Sequence, residues 1–534
     1  MRNMEKQRTA GKATRGRFTD YVAAHRVELI LLAVYALVSA ALALVHEPWR
    51  DEAQAWLFAR DQSVPQMLGN LHTEGHPALW FLMLWPLAHL GLPYGSEFVL
   101  HWALAMAGGA LLMLRSPFDI RVKALLLFSY LIGFVYNIVA RNYVLLEVAL
   151  FAIAAIFPLR YGKRCVLYGV LLAVLINAHV YGALAAAAFL AYDAIYLFSH
   201  DAAGRRHWRS RAMPIAAVLL VAAAGFALLL MTMSGPRYAS VTDPTLGALL
   251  TSDVVEMAKK VLSYSFGSDN TGVMENLYKL SDRVPLFIAM LRFFDVNILP
   301  MLALIVLLGR FKPALLSTLF LVPFCALLVF STNVAYRHVA LFALVVIVGY
   351  WVAQTTPGEY PVASAHWDGV VKQIRVGRVS VLRLAIAWVL LCSSGAYVLM
   401  AGIEATAQYS NGRNLALFLQ REGYDTPGTV VVTINPEQFS SALPYLQHIE
   451  KDEVPGLGGD VSYLLWDQNY YDWEPAQNNP FEYARWRMEQ GNTKVVVILS
   501  GKSFQKPEDF DCIYDTRDVP TVKNEQFAVF VPNQ

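Results

Sequence analysis

The chain has 534 residues, of which 56% are hydrophobic and only 16% are charged. Soluble proteins carry roughly a quarter charged residues, so this composition indicates a membrane protein and argues against one large soluble core. The net charge of +2 is close to neutral and gives no indication of a nucleic-acid partner. The four cysteines have no CxxC or metal-finger spacing, which leaves little support for a disulfide framework or a zinc cluster.

Long apolar runs follow one another from residue 27 to residue 402. The first, 27–45, follows a basic segment and is close to the ~20 residues that cross a bilayer. We interpret it as a retained membrane helix rather than a cleaved signal sequence. Further apolar runs lie at 77–92, 97–114, 122–139, 143–159, 165–180, 182–198, 213–233, 286–309, 313–331, 338–355 and 383–402.

The basic residues cluster in short connections between these runs, where the positive-inside rule places cytoplasmic loops. If every run crossed the bilayer, the basic loops 115–123 and 205–211 would fall on the wrong side. The run 77–92 is short and contains Pro77 and Pro86, so we predict that it is re-entrant or interfacial in the outer leaflet. The sequence then predicts about eleven crossings of the plasma (inner) membrane, with the N-terminus in the cytoplasm and the C-terminus outside.

The tail from residue 403 alternates between helical and strand patterns. An amphipathic helix is predicted near 411–421, a strand at 429–434, a helix at 436–447, and strands at 494–499 and 527–531. This alternation predicts a small α/β domain. We therefore divide the chain into a cytoplasmic segment 1–26, an all-α polytopic membrane domain 27–402 with outer loops 46–76 and 234–285, and an extracytoplasmic (periplasmic) α/β domain 403–534.

The first outer loop contains an acidic pair, Asp51 and Glu52, one turn after the first crossing. A carboxylate at the water–lipid boundary can accept a proton from a hydroxyl, so the pair is a candidate catalytic site. The amphipathic stretch that follows, with Trp56 and Leu57, is predicted to lie on the bilayer surface. The alternative is an ordinary interfacial helix start, where the helix dipole favours acidic residues, and the pair alone does not decide between the two.

A second polar cluster ends the same loop. Imidazole and carboxylate groups are competent ligands for divalent metals, and on an extended chain a spacing of two places His72, Glu74 and His76 on one side. These residues are therefore candidate ligands for Mg²⁺, Mn²⁺ or Zn²⁺, with Glu74 foremost. The alternative is a polar turn that ends before Pro77.

Two arginines lie at helix ends on the outer side, where positive charge is disfavoured. Arg141 is two residues before Tyr143, and Arg337 precedes His338. Their position implies an anionic partner, and a phosphate fits because a guanidinium group matches its oxygens bidentately. For Arg141 the alternative is an intramembrane salt bridge, for example to Glu147.

The order of these motifs on one topology resembles the GT-C superfamily of membrane glycosyltransferases, in particular the protein O-mannosyltransferases and the lipid A aminoarabinose transferases. Asp51-Glu52 resembles the Asp-Glu pair in the first outer loop of those enzymes. The segment 74–80 resembles the His/Pro-Pro-Leu helix that follows it, with one proline replaced. Arg141-Asn-Tyr143 resembles a later Arg-x-Tyr motif, and Arg337 resembles a late arginine associated with the donor phosphate.

The resemblance implies a glycosyltransferase that moves a monosaccharide from a polyprenyl-phosphate donor to an acceptor hydroxyl of a lipid, glycan or protein at the outer face of the membrane. Asp51 would be the base of an inverting displacement, with Glu52 orienting the loop. The donor phosphate would be bound at the outer helix ends by Arg141, Tyr143, Arg337 and His338. Two alternatives stay open: a polysaccharide polymerase or ligase that uses a polyprenyl-diphosphate oligosaccharide, kept open by the long loop 234–285, and a transporter, which the lack of a sequence repeat disfavours.

Overall fold

The computed structural model describes residues 20–199, 207–234, 301–329, 336–371, 374–449, 463–466, 479–491, 494–500, 506–519, 521, 523 and 525–533. For residues 207, 328–329 and 336–339 it describes the backbone alone. The side chains of the candidate residues Arg337 and His338 therefore lie outside the described part of the chain. The predicted outer loop 234–285 lies outside it from residue 235 onward.

The membrane domain consists of helices, because only a helix satisfies every backbone hydrogen bond within one segment surrounded by lipid. Its helices in chain order are α1 (Arg26–Val45), α2 (Arg50–Arg60), α3 (Val64–Glu74), α4 (Leu79–His89), α5 (Gly95–Arg115), α6 (Ile120–Leu127), α7 (Tyr143–Ile156), α8 (Cys165–Ala178), α9 (Val180–Phe198), α10 (Ala212–Met233), α11 (Phe311–Val329), α12 (Tyr336–Thr355), α13 (Pro361–Val370) and α14 (Val381–Thr406). Residues 301–307 are also helical.

Five of these helices, α1, α5, α9, α10 and α14, are long and apolar enough to cross a membrane. The chain is thus a multi-pass membrane protein, as its composition predicts. The number of crossings and the orientation of the termini stay predictions. A short two-stranded hairpin, β1 (Arg375–Val376) with β2 (Val379–Ser380), precedes α14.

Helix α4 occupies most of the run that we predict not to cross. It has 11 residues, which makes it about 16 Å long, roughly half the thickness of the hydrocarbon core. Its length therefore fits the prediction of a non-crossing helix. One face of α4, with Trp80, Phe81 and Leu84, is buried, and the helix packs against α2.

The loop 46–76, which we predict to lie on the outer side, contains the two helices α2 and α3. Trp56 is 2% exposed and Leu57 is fully buried, so the prediction that this stretch lies on the bilayer surface is wrong. The apolar face of α2 is covered by α4 on one side, and Gln54 contacts the C-terminal tail. The apolar face of this amphipathic helix packs against protein and not against lipid.

The segment with His72 and Glu74 is helical, so the prediction of an extended chain there is wrong. Ser63 and Gln66 form a capping box at the start of α3, and Gly75, with φ of 74°, ends the helix in the left-handed conformation. On a helix, residues two apart are separated by roughly 200° around the axis. The side chains of His72 and Glu74 therefore point in different directions.

The apolar run 122–139 is broken where we predict one crossing helix. Helix α6 ends at Leu127 and a π-helical turn follows at Tyr130–Val135. This backbone is buried against α14: a Cβ atom added to Gly133 would lie 2.8 Å from the ring of Tyr397. Irregular backbone is tolerated at membrane depth when protein covers it. The break leads the chain to Arg141 just before α7.

The tail forms helices around a four-stranded mixed sheet. Its elements are α15 (Gly412–Arg421), β3 (Thr429–Val432), α16 (Pro436–Phe439), α17 (Pro480–Glu489), β4 (Lys494–Ser500), β5 (Phe510–Asp515) and β6 (Phe527–Pro532). The strand order is β3-β4-β6-β5. Strands β3 and β4 are parallel, and the other neighbouring strands are antiparallel. We call residues 407–533 of this part the C-terminal domain.

Candidate functional site

An ion pair links the acidic loop to the arginine before α7. Asp51 lies in the first turn of α2, and its carboxylate accepts a hydrogen bond from Nη1 of Arg141. Nη2 of the same guanidinium group donates to Nε2 of His76 at 3.0 Å, which places the proton of a neutral His76 on Nδ1. Arg141 therefore forms a salt bridge, as the alternative expects, but its partner is Asp51 and not Glu147. The side chain of Asp51 is 25% exposed and that of Arg141 is 9% exposed.

Glu52 is fully buried beside this pair. Its Oε1 accepts a hydrogen bond from the backbone N–H of Ala140 at 2.6 Å, and its Oε2 accepts one from the backbone N–H of Trp49 at 3.1 Å. A carboxylate without access to water and with several fixed donors is poorly placed to take a proton from a substrate. This arrangement favours the orienting role for Glu52 and leaves Asp51 as the accessible carboxylate.

His46 bridges two buried carboxylates beneath the loop. Its Nε2 is 3.1 Å from Oε2 of Glu52, and its Nδ1 is 2.7 Å from Oε1 of Glu404 in α14. Burial alone would lower the pKa of His46, but the two carboxylates outweigh it and raise this pKa to about 10. His46 is therefore an imidazolium at neutral pH and ties α2 to the end of α14.

The three candidate metal ligands point to different partners. His72 Nδ1 is 2.8 Å from the carbonyl oxygen of Gly69, Glu74 accepts from the amide of Gln54 at 2.6 Å, and His76 contacts Arg141. Burial raises the pKa of Glu74 to about 8. In the described part of the chain, no three His, Cys, Asp or Glu side chains form a group that could hold a metal. Because these residues do not converge, we derive no step through a metal, and metal dependence stays a prediction.

Tyr143 contacts His179, whose ring lies beside that of His76. His179 caps α9 by accepting a hydrogen bond on Nδ1 from the backbone N–H of Tyr181 at 3.1 Å. When His179 is neutral, its remaining proton is on Nε2, which lies 3.3 Å from the hydroxyl of Tyr143. The ring of His179 is 5.3 Å from that of His76, centroid to centroid. Tyr143, only 2% exposed, thus supports the histidines next to Arg141.

Sequence reasoning missed several residues of this site. It assigned no role in the site to His179, Gln54, His46 or Glu404. Gln54 stands three residues after Asp51, which places both on neighbouring positions of one helix face, and that spacing is the signal that points to it. His46 and Glu404 meet across 358 residues, and no local pattern indicates such a contact.

Searches by sequence find no matching protein-family model and no matching curated protein. In fold, the chain is similar to ArnT from Cupriavidus metallidurans, whose crystal structure contains bound undecaprenyl phosphate. The TM-score is 0.50 at 11% identity, and the match covers 94% of this chain and 97% of that chain. At this identity the likeness shows the fold and leaves the reaction open. The chain therefore shares the overall fold of that protein.

Proposed function

We propose that the protein transfers a monosaccharide from a polyprenyl-phosphate donor to an acceptor hydroxyl at the outer face of the membrane. The observation that carries the proposal is the pair of Asp51 and Arg141, a partly exposed carboxylate held against a buried guanidinium just beyond the end of α1. Such a pair offers a base and a phosphate ligand side by side. Support comes from the fold, which is that of a protein crystallised with undecaprenyl phosphate.

Arg141 would bind the donor phosphate. Its guanidinium is paired with Asp51, and a carboxylate held in an ion pair is a weakened base. The donor is a phosphodiester with one negative charge, as Asp51 has, but its two free oxygens can accept two guanidinium N–H groups at once, and its charge grows as the sugar leaves. Donor binding would therefore draw Arg141 from Asp51 to the phosphate and free Asp51 to act as the base. His76, which accepts from the second guanidinium nitrogen, would keep Arg141 oriented during the exchange.

Transfer would then proceed as a single displacement. The acceptor oxygen attacks the anomeric carbon while Asp51 takes the hydroxyl proton, and the bond between the anomeric carbon and the phosphate oxygen breaks. Polyprenyl monophosphate leaves with the bonding electron pair, and Arg141 neutralises its growing negative charge. One base and no covalent carboxylate invert the configuration at the anomeric carbon. Arg337 and His338 remain candidates for further phosphate contacts.

The proposal includes the orientation expected from the basic loops. The N-terminus would lie in the cytoplasm, and the site and the C-terminal domain would lie on the outer side of the plasma (inner) membrane. Membrane lipids would surround the apolar helices. The sugar and the acceptor, whether lipid, glycan or protein, are left open.

Two other functions are weaker. A polymerase or ligase that uses a polyprenyl-diphosphate oligosaccharide rests on the long loop 234–285, nearly all of which lies outside the described residues. A transporter would place ionisable residues along a path through the membrane, whereas Asp51, Arg141 and His76 form a compact cluster beyond the end of α1. No specific observation in the described part of the chain favours either one.

The test is reconstitution of the purified protein in liposomes with labelled lipid donors. We expect release of polyprenyl monophosphate from polyprenyl-phosphate monosaccharides when a suitable acceptor extract is added. Release of polyprenyl diphosphate from a diphosphate-linked oligosaccharide would instead support the polymerase or ligase. Accumulation of unreacted donor in the opposite leaflet would support the transporter.

A further inference from the structure

We propose that the C-terminal domain is part of the active site and that Glu525 is a positioning residue for Asp51. In this arrangement Glu525 holds the first turn of α2, and through it the carboxylate that would act as the base. The inference rests on the proposed function for its catalytic consequence. The contact between the domain and α2 is independent of that function and can be measured separately.

Glu525 is buried, with 1% of its surface exposed, and each of its oxygens has a fixed donor. Oε1 accepts the backbone N–H of Arg50 at 3.0 Å, and Oε2 accepts the hydroxyl of Ser410 at 2.6 Å. Arg50 is the first residue of α2, and the N–H groups of a first helical turn have no acceptor within their own helix. Glu525 supplies that acceptor one residue before Asp51.

Two neighbouring contacts fasten the same end of the helix to the same domain. The ammonium group of Lys523 lies 4.0 Å from the ring centroid of Trp49, the residue that precedes α2. Glu47 accepts a hydrogen bond from the backbone N–H of Tyr409 at 2.9 Å. The chain that leads to Asp51 is thus held by the domain at Glu47 and Trp49 as well as at the Arg50 amide.

A further contact lies one turn along the helix. The side-chain amide of Gln54 pairs with the backbone of Leu464 through two hydrogen bonds, Nε2 to the carbonyl oxygen at 2.8 Å and Oε1 from the N–H at 3.0 Å. Gln54 is three residues after Asp51, so the domain holds α2 both before and after the base.

The consequence for catalysis follows from geometry. A general base must lie within hydrogen-bond reach of the proton it takes, and misplacement by about 1 Å can lower the rate by about 100-fold. Loss of the Glu525 acceptor leaves the Arg50 amide without its partner and loosens the first turn of α2. Asp51 then samples more positions, while the side chain of Arg141 keeps its contact with His76.

The test compares three variants with wild type in the full-length, reconstituted protein. Glu525→Leu removes both acceptor oxygens, Glu525→Gln keeps an oxygen for Arg50 and presents an amide that Ser410 can accept, and Glu422→Leu is the same change at an exposed site of the same domain. Two quantities are measured: hydrogen–deuterium exchange of the amides at 50–54, and kcat and donor KM for transfer.

We expect Glu525→Leu to raise exchange at 50–54 and to lower kcat by about 30-fold or more, with donor KM within about 3-fold of wild type. Glu525→Gln should restore both to within about 3-fold, and Glu422→Leu should change neither. Ser410→Ala, a milder change that remains available if Glu525→Leu does not fold, should raise exchange at 50–54 and lower kcat by a smaller factor.

The inference is overturned if exchange at 50–54 and kcat are unchanged in Ser410→Ala and Glu525→Leu. It is also overturned if kcat, donor KM and melting temperature all deteriorate together, since that is the pattern of general destabilisation. If wild type transfers no sugar but exchange at 50–54 responds as expected, the proposed function fails and the positioning contact stands.

Discussion

The buried carboxylate of Glu52 accepts the backbone N–H of Ala140 at 2.6 Å, across 88 residues of sequence. Asp51 directly precedes Glu52 in the chain, and Arg141 directly follows Ala140. Asp51 and Arg141 form the ion pair of the site. The buried hydrogen bond between Glu52 and Ala140 thus holds the candidate base, Asp51, close to the candidate phosphate ligand, Arg141. Glu52 is fully buried and links the two segments, whereas the side chain of Asp51 is partly exposed.

Removal of Glu52 should destabilise the protein. Glu52→Ala leaves the Ala140 N–H without its acceptor and removes one of the two carboxylates around His46. Breaking a buried ion pair costs roughly 3–5 kcal/mol, so we expect a clear fall in the melting temperature in detergent. Glu422→Ala, at an exposed position, is the control. A melting temperature equal to wild type would mean that Glu52 does not hold this frame.

The His46 bridge predicts a pH dependence of stability. Its pKa is raised from 6.5 to about 10 in the folded protein, so the folded state binds the extra proton in that range. The stabilisation is fully present below about pH 6.5 and is lost as the pH rises through about 10. The melting temperature of wild type relative to His46→Gln should therefore fall between about pH 6 and about pH 10.

The control for this pH dependence is Leu417→Ala, because Leu417 is exposed on the C-terminal domain and its side chain does not titrate. Its difference from wild type should stay constant over the same range. A constant difference for His46→Gln as well would contradict a protonated bridge between Glu52 and Glu404.

Arg141 should be sensitive even to replacement by lysine. Arg141→Lys keeps the positive charge but loses the planar fork that contacts Asp51 and His76 together. A charge-assisted hydrogen bond contributes about 1.5–3 kcal/mol, so we expect donor kcat/KM to fall by about 10- to 100-fold. Arg485→Lys, in an exposed ion pair with Asp509, is the control. If Arg141→Lys and Arg485→Lys have equal kcat/KM, Arg141 does not bind the donor phosphate.

The diverging directions of the candidate metal ligands predict different effects of their substitution. His72→Ala should leave transfer unchanged, with or without a chelator, because its ring is bonded to the carbonyl of Gly69 at the surface. Glu74→Gln should lower the rate of transfer, since Glu74 accepts a hydrogen bond from Gln54 next to the site. The opposite result would be that a chelator abolishes transfer by wild type and that His72→Ala abolishes it too. That result would show that the side chains converge on a metal during the reaction.

Much of the architecture could be predicted from composition and charge. Long apolar runs predict the helices, and the charge of the connecting loops singles out the run that contains the short helix α4. In the tail, β3, β4 and β6 lie within two residues of the predicted strands. Strand β5 was missed because its residues 511–515 are largely exposed and acidic, which hides the alternation that identifies a strand.

The site was predicted less completely. Asp51, Glu52, Arg141 and the cluster ending at His76 were identified by residue type, but their mutual arrangement depends on contacts far apart in sequence. The broken run before Arg141 requires close packing of Gly133 against Tyr397, which hydropathy cannot reveal. The hydrogen bond between Glu525 and the Arg50 amide likewise joins residues 475 positions apart.

The most direct test of the central claim is transfer by Asp51→Asn, compared with Asp61→Asn, the same change at the end of the same helix, where the aspartate pairs with Arg60. General base catalysis contributes about 10²- to 10⁴-fold, so Asp51→Asn should release polyprenyl monophosphate at least about 100-fold more slowly while it still binds the lipid donor. Asp61→Asn should match wild type. Release by Asp51→Asn at the wild-type rate would contradict the account.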